Sequence, residues 1–213
     1  MDSQVNLNDD QVIAPKQQRS RDTQERLVRA TLKLLERHRF EEIGVASITD
    51  EADVAVGTFY RRFKSKEALL PLLYDVYNQK VDNWLARTRK RKGFRAGRRI
   101  DRIRCLVRAT LDLIDETRGL MRTLHLNSRI HEEIVPDGAV KQRTDTYSAM
   151  GALVVGDEPS AEESSIARVM VMIIVSTCIE YRLYPAQTPT AFMPLNDTDL
   201  VKHLSRSTNA LFD

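Results

Sequence analysis

Apolar residues recur at three- and four-residue intervals along most of this chain, and no segment sustains a period of two. That spacing marks amphipathic helices rather than strands, and it predicts an all-α protein of about nine helices. Leu27, Ala30, Thr31, Leu34, Leu35 and His38 share one face of a first helix, which starts at Asp22 or Thr23, two residue types that cap helices. Val45, Ile48 and Ala52 mark a short second helix. Asp53-Val54-Ala55 is a tight connection, and Val56 to Phe63 is a third helix with Phe59 and Phe63 on one side. Ser65 then caps a long helix from Lys66 to about Arg89, which Pro71 is expected to kink.

Ile103, Leu106, Val107, Thr110, Leu111 and Ile114 lie on a further helix. Gly119 and Pro136 bracket a shorter one, and residues 138–155 form another. Ser160 and Glu163 make a capping box for an apolar helix that runs to about Arg182. Pro185, Pro189 and Pro194 mark a loop. The last helix starts near Asp197 and uses Leu200, Val201, Leu204, Thr208 and Leu211. Residues 1–20 are polar and aperiodic, and are expected to be a disordered arm with Lys16 and Arg19, next to Arg21.

Composition narrows the class. The chain has 213 residues, 42% hydrophobic and 30% charged, in the range of a globular protein of one or two small domains. Two cysteines exclude a disulfide scaffold and fit a reducing cytoplasm, and the N-terminus has no apolar segment of the secretory kind. Ile166–Val175, broken only by Arg168, is the longest apolar stretch. It is shorter than the ~20 residues a membrane span needs. The net charge of +3 conceals an asymmetry: residues 16–104 carry 23 Lys and Arg against 12 Asp and Glu, whereas residues 105–213 carry 10 against 15. A basic first half points to a polyanion such as nucleic acid. Residues 87–104 alone hold ten bases and one acid. They suit a solvated basic loop, extra phosphate contacts, or a basic mouth for an anionic ligand.

No catalytic constellation is present. GxSxG, P-loop and GxGxxG motifs are absent, and His38, His125, His131 and His203 lack metal-ligand spacing. The expectation is a non-enzyme without metal or cofactor, with Cys105 and Cys178 as buried thiols.

The informative stretch is residues 45–70, VASITDEADVAVGTFYRRFKSKEALL. Helix, three-residue turn and helix is the geometry of a helix-turn-helix, whose second helix enters the major groove. Val54, Ala55, Val56 and Gly57 are small enough for close approach to base edges. Thr58, Arg61 and Arg62 then reach bases or phosphates, with Tyr60 and Lys66 at phosphate positions. With the amphipathic helix before it, this stretch resembles the tetracycline-repressor (TetR) family of bacterial transcription regulators, closely over residues 22 to about 72. A shorter resemblance, in ADVAVGT and IARV, is to the actinobacterial sterol-catabolism (KstR-type) repressors.

The TetR resemblance implies a helix-turn-helix domain over 21–66 and a ligand-binding and dimerisation domain over 67–213. It implies DNA contacts from Ser47, Ala55, Val56, Gly57, Thr58, Tyr60, Arg61, Arg62 and Lys66. It also implies an inducer pocket among Met121, Leu124, Tyr147, Met150, Met170, Ile174 and Cys178, and a homodimer built on helices 160–182 and 197–211. The implied function is a cytoplasmic repressor released from a palindromic operator by a hydrophobic molecule, acyl-CoA-like or sterol-like. An effector-independent DNA-binding regulator and an all-α lipid carrier are the alternatives. The chain departs from the family pattern at Arg39, Gly44, Asp53 and Ala55, where Gly, Thr, Gly and Ser or Thr are usual. The two lost caps cost about 1 kcal/mol each.

Overall fold

The computed structural model describes residues 18–95, 97–131, 135–156, 158–184, 192 and 194–213. Most of the arm expected over 1–20, and most of the proline loop, lie outside them. α-Helices and short 3₁₀ turns make up the fold, with no strand among the described residues. The α-helices are α1 (Gln18–Leu35), α2 (Val45–Glu51), α3 (Val56–Tyr60), α4 (Leu70–Thr88), α5 (Lys92–Arg95), α6 (Arg99–Ile130), α7 (Ala139–Val155), α8 (Ala161–Leu183) and α9 (Asp197–Asn209). The chain divides into two compact units. One holds the residues up to Gln79 together with Thr117–Asp137, and the other holds Lys80–Glu116 and the residues from Gly138 onward.

The first unit is organised by its apolar faces. Leu27, Phe40, Ile43, Ile48, Phe59, Phe63, Leu69, Leu70, Leu73, Tyr74 and Leu124 form one buried cluster. Fully burying each large side chain contributes roughly 1.5–3 kcal/mol, so α1, α2, α3 and the start of α4 are held as one body. The last turns of α6 belong to it. Asn127, buried on α6, donates from Nδ2 to the Thr123 carbonyl at 2.8 Å and lies 3.5 Å from Glu41 Oε1.

In the second unit Trp84 is fully buried, and its indole N–H donates to the Ala109 carbonyl at 2.8 Å. α7 packs on α8 with Gly151 facing Ala167. α8 begins with the expected capping box. Ser160 Oγ accepts from Glu163 N–H, and the Glu163 carboxylate accepts from Ser160 N–H. At its far end, Arg182 grips both oxygens of Asp197 on α9 at 2.8 and 2.7 Å and reaches Asp115 on α6 at 3.0 Å. The hydrogen bond from Arg182 holds the Asp197 carboxyl below its ordinary pKa.

The helical class holds, and the helix count among the described residues is the expected nine. Several boundaries differ. Gly119 ends no helix, because α6 runs unbroken from Arg99 to Ile130. Pro71 produces no kink, because a 3₁₀ turn (Glu67–Leu69) comes first and places it in the first turn of α4. Proline's missing N–H costs nothing there. Ser65 therefore does not cap α4. α3 is shorter than Val56–Phe63, and part of the expected basic loop is the single turn α5.

Candidate nucleic-acid interface

Gly44 precedes α2 and Ala55 precedes α3, both extended residues with no side-chain cap hydrogen bond. α3 has five residues, of which Phe59 alone is buried. A helix this short has no stability of its own. Phe59 supplies it, packed against the Phe63 ring at 5.3 Å with Tyr60 edge-on at 5.5 Å.

Anchoring Phe59 inward turns the rest of α3 outward. Val56 is 43% and Tyr60 56% exposed, and Ala55, Gly57 and Arg61 are exposed too. A Cβ built on Gly57 would meet nothing, so this edge of α3 is open. Thr58 is half-buried, and its Oγ1 accepts from Arg61 Nη2 at 2.9 Å, which fixes the guanidinium along the helix. Arg62 is half-buried; desolvation, then the neighbouring Arg61 charge, lowers its pKa. Ser47 is exposed in the first half of α2.

Lys66 is placed differently from the other candidates. Its ammonium donates to the carbonyls of Phe40 at 2.7 Å and Ile43 at 3.0 Å, and it stands 4.6 Å from the centre of the Phe40 ring. It ties the start of α4 to the link between α1 and α2. Two of its three donors are engaged there.

Sequence reasoning missed Arg26. From α1 its guanidinium donates to the carbonyls of Ala52 and Asp53 at the end of α2. Lys33, two turns further along α1, pairs with Glu51 on the same end of α2. The signal was present: two bases seven residues apart flank the apolar stripe of α1.

The pocket candidates fall in both units. Leu124 lies in the core beneath the helix-turn-helix, and Met121 is buried nearby on α6. Met150 is buried on α7, and Met170, Ile174 and Cys178 are buried at four-residue intervals along α8. Tyr147 is 41% exposed. Burial raises the Cys178 thiol to about 12, so it stays protonated at neutral pH.

Much of the basic run is engaged locally. Arg87 pairs with Glu116 at 2.7 Å, Arg91 with Asp112 at 2.8 Å, and Arg98 and Arg104 with Asp101. Arg99 stacks on Phe212 at 4.5 Å. Among the described residues no cluster of three His, Cys, Asp or Glu is placed to hold a metal. No helix among them is long and apolar enough to cross a membrane.

A braced first helix, a tight turn and a short, outward-facing second helix define a helix-turn-helix DNA-binding domain. Residues 27–73 match a family model described as bacterial regulatory proteins, tetR family. A TetR-family transcriptional regulator from Streptomyces coelicolor is similar at 18% identity and TM-score 0.59, over 90% of this chain and 80% of that one. A TetR regulator from Rhodococcus sp. RHA1 shares 16% identity at TM-score 0.51, over 92% and 98%. A transcriptional regulator from Pseudomonas aeruginosa PAO1 shares 18% at TM-score 0.52, over 91% and 89%. No curated protein matches the chain. The match assigns residues 27–73 to the tetR-family domain, and the solved structures show that the chain shares their fold.

Proposed function

We propose that this protein is a cytoplasmic, homodimeric repressor that reads one operator half-site per subunit with α3 and leaves the DNA when a hydrophobic molecule binds. The observation that carries the reading is the outward row Val56, Gly57, Tyr60 and Arg61 on a helix fixed from below by Phe59. Ser47, Ala55, Thr58 and Arg62 complete the contact surface, and Lys66 serves it by bracing the domain. Residues 21–66 are the reader, and residues 67–213 bind the effector and the second subunit. The buried methionines Met150 and Met170, with Ile174 and Cys178, suit an adaptable apolar site. Tyr147 stands as its further candidate in the same unit, whereas Met121 and Leu124, the other expected pocket residues, belong to the first unit. An acyl-CoA-like or sterol-like effector is favoured.

Retention of sheared host genomic DNA at ~150 mM salt tests the reading. Charge-driven binding weakens steeply with salt, whereas base readout survives. A recovered palindrome is the expected result. Joint replacement of Tyr60 and Arg61 with alanine then lowers affinity for that fragment about 100-fold, since each well-placed contact contributes about 1–3 kcal/mol. Unchanged affinity would defeat the assignment of α3 and favour a carrier. A screen of fatty acyl-CoAs and sterols by DNA release tests the effector, and binding that none of them alters would favour an effector-independent regulator.

Ser165, Val169, Met172 and Ser176 form an exposed stripe along α8, with Val169 42% and Met172 57% exposed. An apolar stripe flanked by small residues on a long helix suits a two-fold helix pairing. Met172→Glu buries a charge at that pairing. The variant is expected to sediment as a monomer at micromolar concentration, where the native chain sediments as a dimer. Losing the second half-site contact lowers operator affinity at least about 100-fold. Native monomers, or a variant that stays dimeric, would remove α8 from the interface.

A further inference from the structure

The turn that separates α2 from α3 is closed by two backbone hydrogen bonds. Asp53 N–H donates to the Asp50 carbonyl at 3.1 Å, and Val54 N–H donates to the Thr49 carbonyl at 3.0 Å. Together they are a Schellman motif, which requires a left-handed residue just after the helix cap. Asp53 fills that place with φ 51°, and it is the one non-glycine with positive φ among the described residues. A side chain there is strained, which is why glycine is the usual occupant.

Aspartate tolerates this conformation better than most side chains, though at a cost that glycine does not incur, and Arg26 is placed to offset it. Its Nη2 donates to the Ala52 carbonyl at 2.6 Å and to the Asp53 carbonyl at 2.7 Å. These are end-of-helix carbonyls with no partner inside α2. The same nitrogen is 3.3 Å from the Asp53 carboxylate, but that carboxylate is fully exposed and the ion pair is weak. The grip is therefore on the backbone, across 26 residues of sequence, from the helix that carries the domain's core to the turn that aims α3.

We propose that Arg26 is a positioning residue for DNA reading: it clamps the strained Asp53 turn and so fixes α3 at the angle at which its outer row meets the groove. Without the clamp the turn relaxes toward conformations an aspartate prefers. The population with α3 correctly aimed falls, and apparent affinity falls in proportion. Replacing Asp53 with glycine removes the strain and the need for the clamp.

The inference rests on the DNA-reading assignment, so one readout is taken without DNA. Hydrogen exchange at the Asp53 and Val54 amides is measured in the full chain for the native protein, Arg26→Ala, Asp53→Gly and the double variant, with Arg26→Lys as a milder replacement. Exchange is expected about tenfold faster in Arg26→Ala and near native in the double variant. Unchanged exchange in Arg26→Ala overturns the clamp whatever the protein binds.

Affinity is then measured for the genomic fragment that the native protein enriches. Arg26→Ala is expected to bind about tenfold more weakly, Asp53→Gly to bind like the native protein, and the double variant to recover most of the loss. The salt dependence of binding stays the same throughout. A salt slope reduced by about one in Arg26→Ala, with no recovery in the double variant, makes Arg26 a phosphate ligand and overturns the proposal. If the native protein enriches no fragment, the DNA-reading assignment fails and Arg26 has no reading role, while the exchange data still decide whether it holds the turn.

Discussion

Gly119→Ala is expected to lower the melting temperature by roughly 4–8 °C, although it replaces a helix-interior glycine with the best helix former. Two effects oppose each other. Propensity alone favours alanine by about 1 kcal/mol. Against it, the new methyl carbon would sit 1.9 Å from the carbonyl oxygen of Leu35 and 2.7 Å from its carbon. Both atoms are backbone at the end of α1, so no side-chain rotation relieves the clash. α6 must back away from α1, opening the core around Leu35, Leu120 and Leu124. Overpacking of this kind costs up to about 3 kcal/mol, and more where backbone must move. In a chain of this length each kcal/mol is worth about 2–4 °C. Gly151→Ala on α7 is the control: there the new carbon meets the Ala167 Cβ at 3.3 Å, and a shift of a few tenths of an ångström accommodates it. Its melting temperature is expected within about 3 °C of native. Equal effects from both variants would show that the close approach at Gly119 is not what sets the packing of α6.

Gly119 also shows why a sequence yields some features and withholds others. The 3.6-residue spacing of Leu27, Ala30, Leu34 and their counterparts reports burial directly, so the helices of the reader and their order were legible. So was the α8 capping box, whose partners are three residues apart. Glycine and proline are ambiguous by comparison. Gly119 read as a helix break because the sequence cannot show the Leu35 carbonyl that excludes a side chain there. Pro71 read as a kink because the 3₁₀ turn that puts it in the first turn of α4 leaves no periodic trace. Lys66 read only as a phosphate contact for the same reason: the carbonyls it meets belong to residues more than twenty positions away. The outer row of α3 was legible because it is the complement of Phe59, whereas Arg26 showed only as a base beside the apolar stripe of α1, since the carbonyls it grips lie 26 and 27 residues away.

Phe59→Ala is expected to abolish operator binding at 37 °C and to lower stability by about 3–5 kcal/mol, the cost of emptying a fully buried aromatic site. α3 has no other buried side chain. Its N-terminus lacks a side-chain cap, and its remaining side chains face outward or lie half-buried. Removing the ring also takes the packing partner from Phe63, just past the end of α3. The loss should therefore concentrate on the reading surface. Amide exchange at Thr58 to Phe63 is expected to rise far more than exchange in α8, and the single tryptophan, Trp84 in the second unit, should keep its native emission at 25 °C. Phe59→Leu refills most of the volume and should retain both fold and binding with a loss below about 1.5 kcal/mol. If Phe59→Ala instead melts within 2 °C of native with α3 amides still protected, the recognition helix is held by contacts other than this ring, and the outer row owes its orientation to them.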